Sequence, residues 1–166
     1  ASSSSSLSFT TGIDSTYKEY IFKFINVHAG TNNAEFTFNM SIDSGSNYNV
    51  TKTTTGFQAF HEENDASTSF VYDTALDLAQ STAYQIIGEN IGSGNDESVS
   101  GTLHLFDPSS TTFVKHFICT TQKNTAQSNN AYLAGYGNTT SAINAVDFKM
   151  SSGNIDSGVI KLYGVS

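Results

Sequence analysis

The chain has 166 residues, the length of one domain, and carries a net charge of −8 in which all seven basic residues are Lys. Without Arg and without basic clusters it has no means of neutralising phosphates or reading base edges, so nucleic acid is excluded as the main partner. The same charge disfavours an anionic membrane surface, and no apolar run approaches the roughly 20 residues needed to span a bilayer. The chain reads as a soluble protein.

Charged residues make up only 13%, so Ser, Thr and Asn must supply the polar surface, while twelve Phe and no Trp leave Phe as the main filler of the interior. Ala1–Ser6 reads as a flexible Ser-rich leader, and residues 7–166 as a single domain. Tyr17–Val27 places Tyr20, Phe22 and Phe24 on one side and Ile21, Ile25 and Val27 on the other, the pattern of a central strand covered on both faces. His28–Asn33 has turn chemistry. In Glu35–Ile42, Phe36, Phe38, Met40 and Ile42 alternate with Glu35, Thr37, Asn39 and Ser41, which predicts a strand with one wet face.

Further strands are predicted over Gly56–His61, Ser69–Tyr72, Ala83–Glu89, Val99–Phe106, Thr112–Thr121, Tyr132–Gly137, Ala142–Met150 and Val159–Val165. Between the second and third of these, Asp73–Gln80 is ambiguous: Asp73 can cap a short helical turn, whereas Leu76 and Leu78 fit period two. The lone Pro108 lies in an Asp107–Ser110 turn that would join two strands into a hairpin. After a turn over Ser152–Gly158, the last strand sets Ile160 and Leu162 on one face and Lys161 and Tyr163 on the other, a segment suited to closing a sheet. Ile-Asp-Ser recurs at Ile13, Ile42 and Ile155, which reads as repeated turn chemistry. About ten short strands separated by Gly, Asn, Asp and Ser predict an all-β protein, an antiparallel β-sandwich of jelly-roll type.

Chemistry is sparse. Cys119 sits in the apolar run Phe117-Ile118-Cys119 and reads as a buried small hydrophobe. His61-Glu62-Glu63-Asn64-Asp65 has half of a zinc-protease signature, with Asp65 where the second His belongs, and reads as a solvated acidic loop. A hairpin over Asp107–Thr111 would bring His104 and His116 onto one face, diagonal across the ladder, but no third metal ligand is identifiable. Calcium at Glu62–Asp65 or Asn95-Asp96-Glu97 is an alternative to plain hydration. With no nucleophile elbow, phosphate loop or distinguished carboxylate pair, no enzyme and no cofactor are expected. Saccharide binding has more support: Tyr132, Tyr136, Asn130 and Asn138, with Tyr48 in Asn47-Tyr48-Asn49, offer aromatic platforms and amides.

Several stretches together resemble a domain recurrent in virion proteins of tailed bacteriophages, especially marine and cyanobacterial ones. They are Tyr17–His28, Tyr72–Gln80, Asp96–Phe117, Ala134–Ser141 and Val146–Val165, in shared order and spacing. That family commonly has Pro after His28, where this chain has Ala29. The resemblance implies a virion structural protein, a tail fibre or appendage or a capsid decoration, and supports the β-sandwich. It implies localisation to the virion, a homo-oligomer with other virion proteins as partners, and contact with a host-surface glycan in attachment. It supplies no catalytic residues. The alternative is a carbohydrate-binding β-sandwich module that uses Tyr132 and Tyr136.

Overall fold

The computed structural model describes residues 1–166. It is an antiparallel β-sandwich of eleven strands: β1 (Leu7–Phe9), β2 (Glu19–Ala29), β3 (Ala34–Ser41), β4 (Lys52–Glu62), β5 (Thr68–Tyr72), β6 (Gln85–Ile91), β7 (Ser98–Phe106), β8 (Lys115–Asn124), β9 (Gln127–Gly137), β10 (Ala145–Met150) and β11 (Ile155–Val165). Four strands form one sheet in the order β1-β10-β3-β6, and seven form the other in the order β11-β2-β7-β8-β9-β4-β5. The chain crosses between sheets at β1–β2, β2–β3, β3–β4, β5–β6, β6–β7, β9–β10 and β10–β11, so most neighbours in sequence face each other across the core, as in a jelly roll. No helix is long and apolar enough to cross a membrane.

The ten segments expected from periodicity all become strands, and β1 is the addition. Its three residues are too few to show a period, yet Leu7 and Phe9 pack against the core while Ser8 faces away and donates to Asp147 at 2.6 Å. The core is built from Phe. Phe148 on β10 lies within 5.2–6.3 Å, centroid to centroid, of the rings of Phe9, Phe22, Phe24, Phe36 and Phe38. These rings come from both sheets, so Phe148 joins the two layers. Ile160 and Leu162 are partly buried against this cluster, and β11 forms one edge of the large sheet beside β2.

Several expectations need correction. Val27 faces the core, unlike Ile21 and Ile25, because Asn26 takes φ 49° and the β2–β7 register slips between Phe24 and Val27, shifting the alternation by one residue. Gly158, at φ 111°, sits against this bulge, where a Cβ would meet Asn26 O at 2.5 Å. β2 is an interior strand, but its outer face is open and Ile25 is 41% exposed. β3 has no wet face: Thr37, Asn39 and Ser41 are all buried, Asn39 Nδ2 donates to the Tyr48 and Thr82 carbonyls of the 42–51 and 81–84 loops, and the Thr37 hydroxyl donates to the Lys149 carbonyl. Ile42, expected inside, is exposed beyond the strand end.

The Ser-rich leader does not hang free. Ser4 and Ile155 exchange backbone hydrogen bonds of 2.9 and 2.8 Å, Ser3 N donates to Asp156 O, and the first residues lie along the edge of β11 that β2 leaves unpaired. Asp73 caps a 3-10 turn over Thr74–Leu76, which places Leu76 in the core, so the helical reading of that segment wins for three residues. The third Ile-Asp-Ser opens β11 instead of making a turn. Beyond Asp107–Ser110, the Ser110 hydroxyl accepts from the Thr112 and Phe113 amides and prolongs the turn, so β8 begins at Lys115 and not at Thr112.

Candidate surface on the seven-stranded sheet

The outer face of the large sheet is set by register. Across β5, β4 and β9, Tyr72 stands opposite Phe57 and Phe57 opposite Tyr132, with Phe70 opposite Ala59 next along the ladder. The Phe57 and Tyr132 rings stack at 5.1 Å and 15°, and Phe70 lies 5.3 Å from Phe57. These aromatic groups stay open to solvent: Phe70 is 72% exposed, Tyr72 62%, Tyr132 42% and Phe57 40%. Beside them lies a basin of about 540 Å³ floored by Thr55, Ala134 and Ile118 and edged by Tyr136, His116 and Phe106.

No Asp, Glu or Lys projects from this face on any of β7, β8, β9, β4 and β5. The register sets Ser100, Thr102 and His104 of β7 level with Gln122, Thr120 and Ile118 of β8, then Asn130, Tyr132 and Ala134 of β9 and Ala59, Phe57 and Thr55 of β4. Charges resume only at β2 and β11, with Glu19, Lys23 and Lys161. In a chain of net charge −8 this is a wide uncharged wall. Three of the seven lysines, Lys52, Lys115 and Lys123, point the other way and are buried.

Of the residues singled out for saccharide contact, four come together and one does not. Asn130, Tyr132 and Tyr136 share the outer face of β9, and Asn130 Nδ2 donates to the Tyr132 hydroxyl at 3.2 Å. Asn138 follows at the end of β9, where its Nδ2 donates to Gln80 Oε1 at 2.7 Å. Tyr48 lies apart in the loop over the small sheet, its hydroxyl packed near Gly45. Sequence reading missed Phe57 and Phe70. Both fell within expected strands, but nothing local told which face would be left uncovered.

His104 and His116 do share the outer face, diagonal across the β7–β8 ladder. They have other partners: His104 Nδ1 lies 2.6 Å from Glu19 Oε1, and His116 packs on Tyr136. No three His, Cys, Asp or Glu side chains converge as they would around a metal. His61 and Asp65 pair at 2.9 Å in an exposed turn. Asn95-Asp96-Glu97 lines a polar hollow of about 470 Å³ with His28 and Asp156. Cys119 is buried, and burial pushes its thiol far up from the usual range.

A second group of ionisable side chains lies at the end of the sandwich. Gln58 Nε2 donates to both Asp73 and Glu89, the latter at 3.1 Å, and Asn129 donates to Gln58 Oε1. Burial, then the adjoining Asp73 carboxylate, push Glu89 up to about 7. Lys123 Nζ donates to the Glu89 backbone carbonyl at 2.6 Å. Glu89 lies outside both the basin and the polar hollow.

Comparison with protein-family models, with curated proteins and with solved structures returns no match.

Proposed function

We propose that this chain is a bacteriophage virion structural subunit, in a tail fibre or appendage or as capsid decoration, that assembles with copies of itself through the outer face of its seven-stranded sheet. The carrying observation is the uncharged wall with Phe57, Phe70, Tyr72, Ile118 and Tyr132 left open. Interface cores are depleted of charge and enriched in aromatic residues, and large exposed apolar patches mark interaction sites. A subunit of net charge −8 repels its own copies, so contact by an uncharged face is the arrangement that permits self-association. The assignment to a virion rests on the sequence resemblance.

Immunogold labelling of purified particles tests it: label over the head means decoration, label at the tail means attachment, and bare particles refute a virion role. In sedimentation, the wild-type chain is expected as an oligomer that Phe57→Ser with Tyr132→Ser dissociates. A wild-type monomer at high concentration would refute self-assembly. The second reading is a carbohydrate-binding module, favoured by the Phe57–Tyr132 stack with Asn130 at its rim. It predicts glycan-array binding that Tyr132→Ala abolishes, and binding that survives Tyr132→Ala and Tyr136→Ala would remove that site.

A further inference from the structure

Lys52 opens β4 on the inner face of the large sheet and is 0% exposed, and no carboxylate lies within ion-pair distance of it. Its Nζ donates instead to two neutral oxygens, the side-chain carbonyl of Asn39 at 2.6 Å and the backbone carbonyl of Val50 at 2.8 Å. Asn39, on β3 of the other sheet, is also 0% exposed. Its amide is held from every side: Nδ2 donates to the Tyr48 and Thr82 carbonyls, and Oδ1 accepts from the Met40 amide at 2.9 Å. Because an amide C=O bond is about 1.23 Å, Lys52 Nζ can lie no more than about 3.8 Å from Asn39 Cγ. A primary amine and a carboxamide are thus confined together, out of water, at nearly the separation from which an attack begins.

We propose that Lys52 and Asn39 condense into an intramolecular isopeptide bond that ties β4 of the large sheet to β3 of the small one. Burial pulls the Lys52 ammonium down to about 7, so at neutral pH much of it is the free amine that can act as nucleophile. The Nζ lone pair attacks Cγ and the carbonyl electrons move onto Oδ1, where the Met40 amide already donates. Asp147, 2% exposed, stands directly opposite Asn39 across the β3–β10 ladder, a position that sets Cβ atoms about 4.5–5.5 Å apart. Within the tetrahedral adduct Nζ loses a proton and Nδ2 gains one. The C–Nδ2 bond breaks, the carbonyl re-forms and ammonia leaves. One amine and one primary amide become one secondary amide and ammonia, with no redox change. Ser8 Oγ and the Tyr84 hydroxyl, at 2.6 and 2.9 Å, hold the Asp147 carboxylate in place.

The bond would close residues 39–52 into a ring and join the two layers covalently. This inference is independent of what the outer face binds.

Intact-mass spectrometry of the full chain, fresh and after incubation in mildly alkaline buffer, tests the proposal. The expected mass is about 17 Da below that of the sequence, the loss of one ammonia, with a branched tryptic peptide joining Lys52 to Asn39. Asn39→Ala and Lys52→Arg should each restore the sequence mass. Full sequence mass in the wild type after incubation overturns the proposal. So does a mass loss that persists in Lys52→Arg or lacks the branched peptide, since a cyclic imide at Asn39-Met40 sheds the same ammonia. If the variants fail to fold, the branched peptide of the wild-type chain still decides.

Discussion

Replacing Glu89 by Gln tests the electrostatics of the sandwich end. The ordinary value for this carboxyl is 4.5, and the folded protein raises it to about 7, through burial first and then through Asp73 and Glu35. An acid with a raised folded-state value binds a proton in the folded chain that the unfolded chain has already released. Its effect on stability is therefore nil below about pH 4.5, grows as pH rises toward 7, and is a constant penalty above that. The 2.5-unit difference between 7 and 4.5 corresponds to about 3.4 kcal/mol at the limit of full burial. Glu89 is only half-buried, so solvent screening reduces the expected penalty to about 1–1.5 kcal/mol. Gln has the shape of the protonated acid and its carbonyl can still accept from Gln58 Nε2. Urea unfolding of both proteins from about pH 4 to pH 9 should give coincident stabilities in acid, with Glu89→Gln more stable by about 1–1.5 kcal/mol above pH 7. A difference independent of pH, or a wild type that gains on the variant as pH rises through 4.5–7, would refute the reasoning.

Two further substitutions probe the frame. Phe148→Ala removes the ring that meets five other Phe rings across both sheets, and the cavity should cost about 3–5 kcal/mol in denaturant unfolding. A loss below about 1 kcal/mol would mean that the sheets repack without it. Gly158→Ala forces a Cβ into Asn26 O and Val27 Cα at a φ of 111°, so it should destabilise by more than about 1 kcal/mol and increase amide exchange along the β2–β11 pairing. Unchanged stability and exchange would show that the bulge shifts to accommodate the methyl group.

The sandwich was legible because strand periodicity is local: the alternation of Phe36, Phe38 and Met40, or of Leu103 and Leu105, is written in adjacent residues and needs no partner. The limits of that reading lie where one residue changes phase. Asn26 at positive φ inverts the alternation of β2, and no sequence pattern marked it, because Asn occurs in many turns and only the register against β7 makes this one a bulge. β1 was hidden for a related reason, since three residues pair with β10 only once β10 is present as a template. The leader beside it found its place by covering the open edge of β11.

The candidate surface divides the same way. Tyr132, Tyr136 and Asn130 were recognisable as one strand's outer face because residues two apart share a side. Their neighbours Phe57 and Phe70 lie sixty or more positions earlier in the chain, and they join Tyr132 only through the β9–β4–β5 order. Tyr48, close in composition to the same motif, belongs to another layer. By itself the sequence determined which residues alternate, and hence the all-β class and the Phe core. Tertiary structure alone decided which strands adjoin, and so which uncharged strand faces became one wall and which lysine came to rest against Asn39. Pairing between strands distant in sequence depends on contacts whose partners no local pattern names.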